Sequence, residues 1–278
     1  MNVLLVLIVA AILHASWNAF VKGQKNGVIT ITIVSSVMAI LVLPLTLFVG
    51  LPTKEIWGYL TISMLAHTLY FYSMTRAYSI YDFSIAYPFA RGLAPLITVI
   101  ILLIFLNKKI HTLEIIGILI IVSSILMLLP RKISDISIKD FISMLYFPFA
   151  IAFYTVVDAE GIQHAKNPYQ YIIWNFIVAA IPLLLYGLIT NKSELFKVAA
   201  NNKLKFILAG IVATIAYTLI LWAYTQAPTH YVASVRESSI IFASLIGLYF
   251  FKENGAKKRL FAALILFIGI FVLQLHLF

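Results

Sequence analysis

Long apolar runs alternate with short polar connections from one end of the chain to the other. Ten such runs predict ten helices, at residues 2–21, 28–50, 56–77, 82–106, 112–129, 141–158, 169–190, 204–226, 231–251 and 259–277. At about 1.5 Å of rise per residue, runs of this length suit a ~30 Å hydrocarbon layer. They are continuous rather than alternating, so a transmembrane β-barrel does not fit. The expected fold is an all-α polytopic membrane protein with ten transmembrane helices. Connections 3–4 and 8–9 are only a few residues long, which makes those helix pairs tight antiparallel hairpins. The most polar connection, 131–140, reads as a linker between a first five-helix unit, 1–130, and a second, 141–278.

The two units repeat. Ala66, Thr68, Leu69, Thr75 and Ala77 recur as Ala216, Thr218, Leu219, Thr225 and Ala227 at a shift of 150. Further on, Ile100, Leu102 and Phe105 match Ile246, Leu248 and Phe251 at a shift of 146, which sets Arg91 opposite Glu237. Five helices is an odd number, so the second unit enters the membrane from the opposite side. Inverted repeats are a transporter architecture, with the substrate site between the repeats near the midplane.

Composition agrees with a membrane protein: 63% of the 278 residues are hydrophobic and 11% charged. Mean hydropathy is +1.02. The formal charge of +10 resides mainly in short loops and is not a nucleic-acid footprint. The loops after helices 1, 5, 7 and 9 carry eleven Lys and Arg residues and those after helices 2, 4 and 6 carry four. By the positive-inside rule the richer side is cytoplasmic, which puts both termini outside the cytoplasm. The first run lacks a basic start and reads as a retained helix, not a cleaved signal. There is no cysteine, so thiol chemistry is excluded. No P-loop, His-Glu-x-x-His or Gly-x-Ser-x-Gly pattern is present, which argues against an ATPase, a zinc protease and a serine hydrolase. No metal site or cofactor is expected.

Polar residues inside apolar runs are the candidate chemistry. Arg91 lies nine residues into helix 4, between Pro88 and Pro95. A guanidinium at the helix centre costs from about 2.5 to above 10 kcal/mol, so it needs a partner or a wet cavity. Each proline frees a carbonyl one turn back, which lipid cannot satisfy. Helix 9 carries Arg236-Glu237-Ser238-Ser239. Helical neighbours diverge by about 100°, so Arg236 and Glu237 cannot both reach one partner. An Arg91–Glu237 ion pair locking the repeats and direct ligand contact are both open readings. Helix 1 sets His14, Trp17 and Asn18 on one face. Helix 3 does the same with His67, Tyr70 and Phe71, and helix 8 answers with Tyr217 and Trp222. These faces read either as helix–helix packing or as a binding wall. Helix 6 adds Tyr154, Thr155 and Asp158; Asp158 ends its run and reads either as interfacial or as part of this polar face. Arg76 reads as a snorkelling end residue.

The segments His14-Ala15-Ser16-Trp17-Asn18, Tyr87-Pro88-Phe89-Ala90-Arg91-Gly92-Leu93-Ala94-Pro95 and Arg236-Glu237-Ser238-Ser239 carry a family likeness. With the duplicated ten-helix layout, the whole chain resembles an EamA-type member of the drug/metabolite transporter superfamily. The resemblance implies two inverted five-helix repeats and movement of amino acids, choline-like cations, nucleotide sugars or other metabolites. It further implies that helices 1, 3, 4, 6, 8 and 9 surround a cavity to which His14, Trp17, Asn18, Tyr87, Arg91, Tyr154, Arg236 and Glu237 contribute. Two departures stand out. The family's glutamate after helix 9 is present as Glu253, but Asn107 occupies the matching place after helix 4. Family members with mapped topology usually have cytoplasmic termini, against the charge count here.

The expected function is secondary transport of a small polar metabolite across the cell (inner) membrane, by a monomer or homodimer. Arg91 and Arg236 suit a carboxylate or phosphonate, since a planar fork binds oxyanions bidentately. Glu237 could meet an ammonium, which favours a zwitterion such as an amino acid. The aromatics instead suit an organic cation. An intramembrane enzyme using His14 with Glu237 or Asp158 is an alternative of another class, with no nucleophile–base spacing to support it, and a scaffold would not need midplane charge. For proton coupling, the candidates are Glu237 and then His14.

Overall fold

The computed structural model describes residues 2–81, 83–127, 138–250 and 256–275. Ten helices of this part follow the predicted runs: α1 Val3–Lys22, α2 Gly27–Val49, α3 Lys54–Ile80, α4 Phe83–Phe105, α5 Thr112–Leu126, α6 Ile138–His164, α7 Pro168–Thr190, α8 Lys203–Ala223, α9 Thr229–Tyr249 and α10 Ala256–Gln274. A short helix, Lys192–Asn201, bridges α7 and α8. Among the described residues, α1, α2, α7, α8, α9 and the Met144–His164 part of α6 are long and apolar enough to cross a membrane. Shorter apolar stretches lie at Phe89–Phe105 and Thr112–Ser124. Most of the linker, residues 131–137, and Glu253 lie outside the described residues.

Local signals set the helix starts. Asn2, Asn26, Thr53 and Asn167 each accept a hydrogen bond from a free N–H of the first turn that follows. Pro168 occupies the first turn of α7, where no donor is needed. Glu114 reaches back to the His111 N–H, 2.7 Å, to cap α5. Gly50, at φ 69°, ends α2 in a conformation that other L-residues avoid. Asn107, at φ 49°, closes α4 in the left-handed region. Asparagine tolerates that region better than glutamate does, which gives the departure from the family residue a backbone reason.

Two helices are interrupted. Pro44 tightens α2 into a 3₁₀ turn at Leu43–Leu45. In α9 the 3₁₀ turn falls on Arg236–Ser238, the charged segment itself. By contrast, α4 runs through Pro88 and Pro95 without a break.

Packing follows a pattern that maps onto itself when helix n is exchanged with helix n+5. The partners α3–α6 and α1–α8, α4–α6 and α1–α9, and α3–α7 and α2–α8 exchange in this way, while α2–α7, α4–α9 and α5–α10 are their own counterparts. The α2–α8 contact is tight: a Cβ at Gly210 would lie 2.4 Å from Val37. The outer surface is apolar, with Leu47, Phe48, Ile189 and Phe250 almost fully exposed. The polar side chains of interest are buried where α1, α3, α4, α6, α8 and α9 converge.

Candidate functional site

Two adjoining groups of buried residues occupy the centre. The first is charged. Arg91 of α4 and Arg236 and Glu237 of α9 are at most 1% exposed. Arg91 Nε lies 3.0 Å from Glu237 Oε2, and Arg236 Nε lies 3.7 Å from Glu237 Oε1. The sequence offset that set Arg91 opposite Glu237 is thus a spatial contact on the α4–α9 packing line. Arg236 turns towards α6, where its Nη2 donates to Thr155 Oγ1 at 3.0 Å. Both guanidinium planes also meet aromatics, Arg91 at Tyr87 and Arg236 at Tyr154, each 5.9 Å from the ring centre.

What distinguishes this group is its unused hydrogen-bonding capacity. Arg91 Nη1 and Nη2, Arg236 Nη1, Ser238 Oγ and His14 Nε2 are buried with no hydrogen-bond partner. Trp17 Nε1 donates to His14 Nδ1 at 3.4 Å, so the neutral His14 ring carries its proton on Nε2. Such groups are rare in folded proteins, and each asks for a ligand or water. Most of these groups are donors. An oxyanion is the chemistry that would satisfy them.

The second group lines a small cavity of about 40 Å³. Its wall includes His14, Trp17, His67, Tyr70, Tyr154 and Tyr217, with Ala179, Ala180 and Ala213. The His67 and Tyr154 rings stack at 4.4 Å, and Tyr70 meets the Tyr154 ring edge-on at 5.2 Å. Tyr154 therefore joins the groups, with Arg236 against the ring that His67 also covers.

Comparison with known proteins decides the family. A sequence model of the EamA-like transporter family matches residues 1–129 and 140–275. This chain belongs to the EamA-like transporter family. No curated protein sequence matches it. A solved structure, described only as a crystal structure of a protein, superposes with a TM-score of 0.73 at 13% identity, covering 99% of this chain and 96% of the other. That likeness concerns the fold alone. As an EamA-like transporter with several membrane-crossing helices, the protein is an integral multi-pass membrane protein.

The EamA-like chain gathers most of the residues singled out in its sequence, in different roles. His14, Trp17, His67, Tyr154 and Tyr217 line the cavity. Tyr87, Arg91, Arg236 and Glu237 make the charged group beside it. Asn18 is fully buried but holds the helices together: its Nδ2 donates to His14 O, and Tyr78 Oη donates to its Oδ1. Trp222 joins neither group; it is half-buried against the general core. Arg76 is exposed. No cluster of three or more metal-type ligands occurs among the described residues.

Asp158 corrects the reading of its sequence. α6 does not end there but continues to His164, so Asp158 is fully buried and not interfacial. Its Oδ1 accepts from Tyr171 Oη at 2.8 Å and Asn175 Nδ2 at 3.0 Å, and its Oδ2 accepts from Tyr217 Oη. His67 Nε2 stands 3.8 Å from Oδ2. The Tyr171 ring fits only because residue 161 is glycine, where a Cβ would fall 2.4 Å from it. Gly161→Ala is therefore expected to dislodge Tyr171 and lower stability by about 1–3 kcal/mol. Thermal unfolding of the purified variant checks this; an unchanged midpoint means that Tyr171 has room to move.

Proposed function

We propose that this EamA-like protein is a secondary transporter that carries a small polar metabolite bearing an oxyanion through the central cavity by alternating access. The observation that carries this reading is the pair of buried arginines with three guanidinium nitrogens that have no hydrogen-bond partner, next to an aromatic-lined cavity. A carboxylate or phosphonate would satisfy them bidentately, and Glu237 between them leaves room for a zwitterion's ammonium. The helix pairing that maps n onto n+5 supports ten crossings in two inverted repeats, 1–130 and 141–278, able to rock about the site. Tyr70, Tyr154 and Tyr217 favour one second reading, an organic cation held by rings.

Thermal unfolding of the purified protein with a panel of amino acids, short phosphonates and quaternary ammonium compounds separates the two. Stabilisation by the anionic or zwitterionic members supports the oxyanion reading. Stabilisation by the quaternary ammonium compounds alone replaces it.

Topology is a separate expectation. Lys22 and the lysines around Lys192–Asn201 mark one end of the bundle as basic, the end away from both termini. A reporter fused after Phe278 should read as outside the cytoplasm. Cytoplasmic reporter activity there would reverse the orientation and, with it, which face opens first.

A further inference from the structure

The buried charges of this site form two unequal ends. At the arginine end, Arg91 and Arg236 face one carboxylate, Glu237, leaving a surplus of one positive charge. At the other end Asp158 is fully buried, and among the described residues its ion-pair partner is a histidine, not an arginine or lysine. The surplus there is one negative charge when His67 is neutral. With both ends counted, the empty site is balanced. A monoanion placed on the arginines would leave the whole one charge too negative in a low-dielectric interior, which is unfavourable without compensation.

We propose that His67, backed by Asp158, is the proton-binding site that accompanies an anionic substrate. This rests on the transport reading above and names its coupling ion. His67 lines the cavity while Asp158 stands behind it, so a proton from cavity water reaches the ring first. Its Nδ1 lies 3.0 Å from Ser63 O and 3.1 Å from Ser63 Oγ, and the tautomer with its proton on Nδ1 donates to that carbonyl and leaves Nε2 as the lone pair. Its Nε2 faces the Asp158 carboxylate, and a second proton there turns a lone pair beside a negative charge into an ion pair. Asp158 itself is filled by Tyr171, Asn175 and Tyr217, which leaves no space for a bulkier cation. In the transport step, the Nε2 lone pair takes a proton from hydronium in the cavity when it is open to one side. The proton returns to water on the other side when the anion leaves.

The groups facing His67 come from every neighbouring helix: Ser63 and Tyr70 on its own α3, Tyr154 and Asp158 on α6, Asn175 on α7, Tyr217 on α8, and Arg236 of α9 across the Tyr154 ring. His14 of α1 shares the cavity. Glu237, the sequence's first candidate, is held between two guanidiniums, and protonating it would leave both without their counter-charge.

Nitrogen NMR of full-length protein labelled at its six histidines, in lipid nanodiscs with acetate present as the anion, tests this. His67→Gln assigns the His67 signal. Acidification from about pH 8 to about pH 5, the range in which histidines switch, is expected to convert that ring to its doubly protonated form in the wild type and in Glu237→Gln. The conversion is expected to be lost in Asp158→Asn. A His67 ring neutral throughout in the wild type, a normal conversion in Asp158→Asn, or loss of conversion in Glu237→Gln overturns the proposal. If Asp158→Asn disturbs the other histidine signals and so the fold, the wild-type and Glu237→Gln titrations decide alone. Failure of the transport reading looks different: an intact His67 titration with no uptake by protein-containing liposomes.

Discussion

Replacing Arg91 with alanine is expected to abolish uptake and to destabilise the protein, and the double variant Arg91→Met with Glu237→Gln is expected to recover part of the stability and none of the uptake. Arg91 and Glu237 are buried 3.0 Å apart. Removing one partner of such a pair strands the other charge and costs about 3–5 kcal/mol. Arg236, 3.7 Å from the same carboxylate, offsets part of that loss. In Arg91→Met with Glu237→Gln the closest pair is removed together and residues of similar volume fill the space, but Arg236 loses its carboxylate, so the unfolding midpoint should return only part of the way towards the wild type. Uptake should not return. On the proposed reading the two free Nη groups of Arg91 donate to the substrate, and hydrogen bonds to a charged group contribute about 1.5–3 kcal/mol each, so at least about a hundredfold loss is expected. Uptake by liposomes of a compound that stabilises the wild type, with unfolding midpoints for all variants, makes the comparison. A double variant that regains both stability and uptake would reduce Arg91 to a structural lock between α4 and α9.

The parts of this site that were legible in the sequence were those with a period or a price. Ten apolar runs gave the helices because lipid-length hydrophobicity has few other uses. Arg91 and Glu237 were legible because charge in an apolar run demands a partner, and the internal repeat said where to find it. The depth of Asp158 was not legible because Glu160, Gly161, Gln163, His164 and Lys166 follow it, a polar stretch that resembles a helix end. α6 continues because those polar groups find partners: Glu160 pairs with Lys108 at 3.1 Å, and the His164 ring stacks on Tyr59 at 5.4 Å. The 3₁₀ turn at Arg236–Ser238 contains no proline or glycine, so no local signal announces it. Lys192–Asn201 read as a charged loop, yet it is a helix that buries Leu195. Trp222 shows the limit of matching repeats: the shift of 150 that pairs Ala66 with Ala216 also pairs Trp222 with Tyr72, which fixes a position along a helix, not the face that meets the cavity. Tyr72 is itself exposed.

Filling the cavity should stop transport without touching a single charge. Its free volume of about 40 Å³ holds a few waters and no metabolite, so helices must separate during the cycle to admit one. Ala213 of α8 lies on its wall, 1% exposed, one helical turn from Tyr217. Leucine at this position adds three carbons, which compete for that volume and for the face a substrate would press against. Overpacking of this kind costs about 1–3 kcal/mol, which a ten-helix bundle survives. Ala213→Leu is therefore expected to remain folded, to keep the Arg91–Glu237 pair, and to lose uptake by at least about tenfold, the equivalent of ~1.4 kcal/mol. Liposome uptake against thermal unfolding separates the two effects. Because Arg91→Ala removes the charge recognition and Ala213→Leu removes the space, the variants should fail differently. The first should lose stabilisation by anions even at high concentration. The second should show weaker stabilisation with the same preference among anions. Normal uptake by a folded Ala213→Leu protein would mean that the substrate passes the arginines by a route other than this cavity.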